Sequence, residues 1–377
     1  MHYEGSAGGD EKPKILWFNA FFLILTPLAA LILTPLYIYH FGVHWAEPVA
    51  MLALWFLTGM GITAGYHRMF SHRAWWAPKP VRAILLVLGA AAWQNSAIAW
   101  CAGHRYHHKN IDTEDDPYSI EEGFLWAHML WVMIEGKMHE DFDSAPDLLK
   151  DPMIQWQHKY YMPISVAFNV GVPLALGLLT GRVWGMLLWA GLIRIVVVHH
   201  FTFFINSAAH MWGSRPWNQE MSARDNGLLA FFTFGEGYHN FHHSFPGDYR
   251  NGFRWYQFDP TKWVIGGLHK LGLAHDLRRS SIDRRLRKRC QTMRERYEAQ
   301  MHEWSEGLRE QVNAAEASLD EALNEMRIKR AEWSRRAGEM QAHALEELEH
   351  ARIDAERRAL EAFRDWKKLI PAPSRAR

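Results

Sequence analysis

Histidine at fixed spacing is the chemistry written in this sequence. Three clusters stand out among its 22 histidines: His67-Arg68-Met69-Phe70-Ser71-His72, His104-Arg105-Tyr106-His107-His108 and His239-Asn240-Phe241-His242-His243. The last two share the pattern HxxHH. On a helix, positions i, i+3 and i+4 lie on one face, so three imidazoles can be aimed at one volume. A fourth element, Asn206-Ser207-Ala208-Ala209-His210, puts Asn206 and His210 one turn apart. Neutral imidazole suits iron, zinc, copper or nickel. Nine such ligands exceed what one ion takes, since a structural zinc uses four. The count therefore predicts two metals.

Each piece has a plain alternative. An isolated HxxxxH carries almost no information, and an HxxHH can be core packing. The two HxxHH copies, the HxxxxH and the Asn-His pair together resist that reading. The other thirteen histidines, among them His128, His139, His158, His199 and His200, are read as structural or surface groups. His199-His200 is the pair that could compete for a ligand role, because it lies inside the fourth span near its cytoplasmic side. The membrane setting and the wealth of clustered histidine favour an all-histidine diiron centre over a ferritin-like one.

The elements that must position these groups are apolar. Of the 83 charged residues in the 377-residue chain, 43 fall within 276–377, which leaves the first 275 residues about 15% charged. A body so poor in charge, with apolar runs of 18 or more, reads as membrane-embedded, and a fully soluble single-core globule is excluded. Four spans are expected at 16–39, 49–66, 161–179 and 183–205; the first, with no small-residue cleavage site after it, is taken as retained. Ala83–Trp93 is too short to cross, and is expected to lie in the interface or to re-enter. Arg194, inside the fourth span, must face the bundle interior or a wet cavity. Basic residues from Arg68 to Lys109 follow the second span, so both termini and residues 67–160 are expected in the cytoplasm. All four histidine elements then fall on one side. Two cysteines, Cys101 and Cys290, make neither a disulfide framework nor a zinc ribbon. Lys plus Arg (42) nearly balances Asp plus Glu (41), so bulk charge argues neither for nor against nucleic acid, and with a membrane body no nucleic-acid partner is expected.

Residues 276–377 form a different object. A basic cluster from Arg278 to Arg289 precedes an Ala/Glu/Arg-rich stretch without Gly or Pro between Gly307 and Gly338. Leu308, Val312, Ala315, Leu319, Ala322 and Met326 recur at alternating steps of four and three, a heptad seam. A helical hairpin or an intermolecular coiled coil, and hence a homo-oligomer through the tail, would bury it; a solvated single helix is the bland alternative.

The segments HRMFSHRAW, NSAIAWCAGHRYHHKN, DDPYS, INSAAHMWGSRPWN and FGEGYHNFHHSFPGDYRNG resemble the histidine boxes and flanks of membrane-bound acyl-CoA Δ9 fatty acid desaturases, over roughly residues 15–275. The resemblance implies an all-α membrane protein: a four-helix transmembrane bundle under a cytosolic helical cap, with the charged tail outside it. It implies that His67, His72, His104, His107, His108, His210, His239, His242 and His243, with Asn206 through a water, hold two irons. It further implies that a cis double bond enters a saturated long-chain acyl thioester, with molecular oxygen as co-substrate and two electrons supplied from outside.

Gln94, Asn95, Trp100 and Thr202 match family positions that line the acyl tunnel or hold the acyl carbonyl, and Trp55 matches one at the tunnel floor, one turn before Gly59. Ala102-Gly103 stands where the family commonly has an Arg-Asp pair on the coenzyme A head group, so a carrier-protein or lipid-linked chain stays open beside acyl-CoA. No cytochrome, flavin or iron–sulfur motif is present. The expected donor is a ferredoxin, or a b-type cytochrome with its reductase. The resemblance implies the inner membrane if the chain is prokaryotic and the endoplasmic reticulum if it is eukaryotic. The rival reading is a membrane diiron hydroxylase or alkane monooxygenase.

Overall fold

The computed structural model describes residues 14–135, 142–298, 301, 304–336 and 342–371, with 342–345 described by backbone alone; His139 lies outside them. Among the described residues the chain is helical, and its only β pairing is isolated bridges. Four helices are long and apolar enough to cross a membrane: Trp17–Phe41, Ala46–Ser71, Tyr161–Thr180 and Val183–Met211. Only 11% of the apolar window of the first is buried in protein, so its side chains need lipid around them. Pro27 and Pro35 interrupt its hydrogen-bond ladder. The hydroxyls of the preceding threonines, Thr26 and Thr34, donate to Phe22 O and Ala30 O at 2.7 and 2.6 Å, keeping polar groups satisfied inside the helix.

At one end of the bundle a polar clip joins the two helical hairpins. Glu47, fully buried, accepts from Tyr37 Oη at 2.6 Å and Arg182 Nε at 2.9 Å. Arg182 Nη2 also donates to Phe41 O and Gly42 O, both at 3.1 Å. The single basic residue of the outer turns is therefore a fastener.

Helix Lys79–Ala91 does not cross. It packs on the second span so closely that a Cβ on Gly61 would stand 2.3 Å from Gly89 N. Its C-terminal carbonyls end inside the protein, where water is not at hand to satisfy them. Arg194 Nη1 reaches Ala91 O at 2.9 Å, and His199 Nε2 lies 3.1 and 3.0 Å from Ala92 O and Trp93 O. Arg194 also donates to Ala190 O and to Asn169 Oδ1. A cation at a helix C-terminus is favoured by the helix dipole as well as by the bonds it makes. The fourth span thus caps the re-entrant helix, which is why it carries a charge, and His199 is spoken for.

The chain divides into two compact units, one of residues 1–214 and 221–279, the other of 215–220 and 280–377. The second unit has its own core. Helices Ile282–Glu298, Glu306–Arg336 and Ala342–Leu369 bury Leu286, Tyr297, Leu323, Ala355, Ala359 and Trp366. All six heptad residues pack into that core, with Val312, Leu319 and Met326 buried outright. The seam closes on the chain's own helices as a hairpin. Segment 215–220 joins it through Thr292 Oγ1 to Trp217 O (2.6 Å) and Arg289 Nη1 to Pro216 O (2.9 Å).

Candidate metal centre

The nine expected histidines come together in two groups. His67, His72, His104, His108 and His242 each present a ring nitrogen to the first, and His107, His210, His239 and His243 to the second. Within either group the nitrogens all lie within 4.8 Å of one another. Neither HxxHH serves one volume, as the spacing alone suggests. Helix Ala97–Asn110 sends His104 and His108 to the first group and His107 to the second; helix His239–Ser244 sends His242 to the first and His239 and His243 to the second. The physical reason is helical phase. At about 100° per residue, positions i and i+4 nearly eclipse, while i+3 and i+4 diverge by about 100°. Each motif is a fork, and the two forks are used in opposite senses.

The HxxxxH converges for a different reason. Five residues apart on an α-helix point well away from each other, but Gly61–Ser71 is π-helical. His72 N donates to His67 O at 3.1 Å, a five-residue turn, and the two rings sit 4.9 Å apart.

The donor set fits metal ions. Nε2–Nε2 separations are 3.0 Å for His67–His242, 2.9 Å for His242–His108, 2.8 Å for His72–His104 and 3.1 Å for His243–His239. Two nitrogens bound at right angles to one ion at ~2.1 Å stand roughly 3 Å apart. The buried Nε2 atoms of His107 and His210 have no hydrogen-bond partner in the protein. Burial first, and then the neighbouring imidazoles, push His104, His108, His239, His242 and His243 well below the ordinary histidine pKa, and the same two causes act on His72. The rings are neutral at physiological pH, the form that ligates.

Outer partners fix ring orientation, and sequence reasoning missed them. Asp116 Oδ1 lies 2.8 Å from His107 Nδ1, while Tyr118 stacks on the same ring at 4.3 Å. Ser222 Oγ lies 2.6 Å from His210 Nδ1 and is itself held by Asp112. Glu236 Oε2 lies 2.8 Å from His67 Nδ1. Burial opposes ionisation of Glu236, but Arg68 and then His67 hold its carboxyl below the usual range. Arg68 is 1% exposed and pairs with Glu236 at 2.8 Å and Asp259 at 3.0 Å. Carboxylate–histidine contacts of this kind raise ligand basicity and select the tautomer that leaves Nε2 free. The available signal was the acidic residues in DDPYS and FGEG, each beside a cluster.

A cavity opens from the histidines into the bundle. His67, His104, His107 and His239 line its inner end, with Asn206 beside them; Trp100, Val198, Thr202, Phe201 and Trp55 continue it. Gln94 Nε2 donates to Thr202 Oγ1 at 2.8 Å and its Oε1 accepts from Trp100 Nε1 at 3.4 Å, so Gln94 holds two lining residues. Asn95 is elsewhere. Its φ is 83°, its side chain accepts from Ser96 N, and its own N–H donates to Tyr161 Oη, which makes it a turn residue. Phe234 was not foreseen: its ring occupies the space over Gly59, where a Cβ would meet it at 2.2 Å, and it packs on Trp55 at 4.8 Å. His128, one of the histidines expected to be structural, bonds to Ser207 Oγ and His200 Nδ1, each at 3.0 Å. His158 bonds to Ser96 Oγ at 2.7 Å.

A sequence model of the fatty acid desaturase family matches residues 44–276. The chain is similar to a probable acyl-CoA desaturase of Schizosaccharomyces pombe, 45% identical over 222 residues, 58% of this chain and 46% of the yeast protein. It is similar to stearoyl-CoA desaturase 5 of Bos taurus, 36% identical over 288 residues that cover 72% of this chain and 82% of the bovine one. It is also similar to an sn-2 palmitoyl-lipid 9-desaturase of Nostoc sp. (strain 36), 35% identical over 271 residues, 70% and 90% of the two chains. The chain thus spans about half the length of the fungal relative and most of the other two.

Proposed function

Since the chain belongs to the fatty acid desaturase family, we propose that it inserts a cis Δ9 double bond into a saturated long-chain acyl thioester. Its four long apolar helices make it a multi-pass membrane protein. The balanced reaction removes two hydrogens from adjacent methylenes and consumes one oxygen molecule, two electrons and two protons, releasing two waters. Two irons, when bound, would supply the oxygen-derived oxidant needed to attack an unactivated C–H bond. The first histidine group would hold one ion, and the second group, with Asn206 through a water, the other.

The observation that carries this reading is the cavity. An apolar space lined by Trp55, Phe201, Val198 and Trp100 ends on His67, His104, His107 and His239. An acyl chain threaded there has one pair of carbons beside the donor nitrogens and the remainder held away from water. The neutral histidines bind the ions without first losing protons, Glu236 and Asp116 hold His67 and His107 in place, and Gln94, Thr202 and Trp100 fix the chain's path. Acyl-CoA is the substrate class that the names of the yeast and bovine relatives support; the Nostoc name keeps an acyl-lipid in view. Ala102-Gly103 leaves the coenzyme A head group without its usual Arg-Asp pair.

The basic residues after the second span support a cytoplasmic site with both termini on that side, and the electron donor would be a separate ferredoxin or b-type cytochrome with its reductase. The test is purified iron-loaded protein given a saturated acyl thioester, oxygen and a reductant, with products read by mass spectrometry. Alkene is the expected product; alcohol alone would favour the hydroxylase alternative.

A further inference from the structure

Outside the four spans, two neighbouring helices present apolar side chains where a water-facing cap should be polar. Leu228 and Phe231, three residues apart in helix Gly227–Phe232, are 75% and 52% exposed. Trp263, in helix Pro260–Lys270, is 50% exposed, and Leu271 just beyond it 73%. Phe258 joins the two helices: its ring lies 4.8 Å from Phe231 and 5.3 Å from Trp263.

We propose that this face seats in the interfacial layer of the bilayer, on the side where the histidine centre lies. Continuity with the spans is the first reason. Phe231 meets Phe232 at 5.3 Å, Phe232 stacks on Phe201 of the fourth span at 5.0 Å, and Phe201 meets Trp55 of the second at 5.8 Å. The lipid-facing side of the second span, with Leu52 and Phe56 exposed, leads to the same place, since Phe56 meets Phe234 at 5.8 Å. An unbroken run of ring contacts therefore ties helix Gly227–Phe232 to the second and fourth spans.

Composition is the second reason. Segments 227–235 and 260–275 contain no Asp or Glu, and their cations are Lys262 and Lys270. Lys262 is buried with its ammonium on Gly252 O, Arg254 O and Gln257 O, so its charge is internally satisfied. Aromatic rings with apolar neighbours and no acids suit the headgroup boundary, where anionic lipid repels carboxylates. Single exposed apolar side chains are ordinary on a soluble surface; a contiguous set bridged by stacked rings is not. This seating would hold the cap against the membrane by side chains the spans do not supply.

The test uses the full iron-loaded chain in lipid nanodiscs on a Cys290→Ser background, since Cys101 is fully buried. Nitroxide labels at Phe231→Cys and Trp263→Cys are compared with Glu121→Cys on the polar cap and Leu31→Cys, 72% exposed in the first span. Collision with oxygen and with a water-soluble nickel chelate is read by electron paramagnetic resonance. The expected oxygen-to-nickel ratio at 231 and 263 is several-fold above that at 121 and approaches that at 31. A water-like ratio at both sites overturns the proposal. So does low access to both reagents, which would mean a protein cover such as a second copy. Leu228→Cys and Leu271→Cys carry the same measurement if either aromatic replacement fails to fold. Depth is read without turnover, so a failed desaturase assay leaves the result standing.

Discussion

His107 and His108 are neighbours in the chain and ligand candidates for different ions: His108 faces His72, His104 and His242, while His107 faces His210, His239 and His243. The angle between consecutive helical residues, about 100°, is what divides them. A helix that slipped by one residue would spoil both groups at once, so the phase of helix Ala97–Asn110 is under tight constraint. Arg105 secures it. Its guanidinium donates to Phe70 O, Ser71 O and Ser144 O and pairs with Asp147, tying the helix to the end of the second span.

The division predicts separable metal loss. Replacing any one of the nine histidines by Ala should abolish desaturation, but His107→Ala should leave about one iron per chain, held by the five-histidine group. His128→Ala should keep both irons, since its partners are Ser207 and His200. Metal analysis of the purified variants decides. Two irons retained in His107→Ala, or activity retained in His210→Ala, would defeat the assignment of the second group.

Glu236 should matter without touching a metal. Glu236→Gln keeps shape but removes the charge facing His67 and Arg68. Loss of such a partner typically weakens metal affinity 10- to 100-fold. Competition with a chelator should show iron leaving the variant that much more readily, while Glu236→Asp recovers part of the difference. Equal retention in Gln and wild type would mean that Arg68 alone orients the site.

Acid should destabilise the metal-free protein from a definite point. Burial holds His72, His104, His108, His239, His242 and His243 below their ordinary value. Above about pH 6.5 both folded and unfolded chains keep these rings neutral, and the term is constant. Below it the unfolded chain takes up protons that the folded site refuses. Stability then falls with pH, by up to about 1.4 kcal/mol per pH unit for each ring, until the folded pKa values are reached. Tm of the metal-free chain should be level from about pH 8 to pH 7 and fall from there to pH 5.5. A rising Tm over that acid range would contradict neutral burial.

The tail should be dispensable for chemistry, with the cut placed by the structure. Arg278 N donates to Ala74 O and its carbonyl accepts from Tyr249 N, so the membrane unit needs the chain to that point. Cutting after Arg289 would leave half of helix Ile282–Glu298 with Leu286 uncovered. Ending the chain after Arg279 should keep iron and activity measurable. Loss of iron, with the spans still folded, would show that the helical unit supports the site.

Spans were legible because 18 or more apolar residues have one economical fate. Their ends were not. The second span was expected to stop at residue 66, yet it runs to Ser71, because His67 and Arg68 are buried in protein and need no apolar character there. The histidines were legible as a set, from type and spacing. Their division into two groups was not, since it depends on helical phase and on a π-helical turn that no residue pattern announces. Arg194 is expected from the sequence to face the bundle interior or a wet cavity, but apart from Asn169 Oδ1 its partners are backbone carbonyls, which have no identity in a sequence. The heptad seam could not choose between a hairpin and a second copy, because both bury the same six side chains.

The floor of the acyl cavity gives the last prediction. Trp55 was expected to close it, with Gly59 as the small residue beside it. The ring of Phe234 fills the space over Gly59 and lies 4.8 Å from the Trp55 ring, so a floor at this point would be a pair of rings drawn from two elements. Phe234 keeps a left-handed backbone, φ 54°, an uncommon conformation for a large side chain, so its position is fixed by packing on Trp55 and Phe56. Trp55→Ala and Phe234→Ala should each lengthen the accepted chain, and together should lengthen it further than either alone. Neither is a donor in the two histidine groups, so iron content should not change. Gly59→Ala should do the reverse: its new methyl must displace the Phe234 ring, which costs stability and shortens the space. Product profiles over a series of saturated acyl thioesters check all four variants. An unchanged profile in the double variant would mean that both rings pack against lipid or each other and that the chain ends elsewhere.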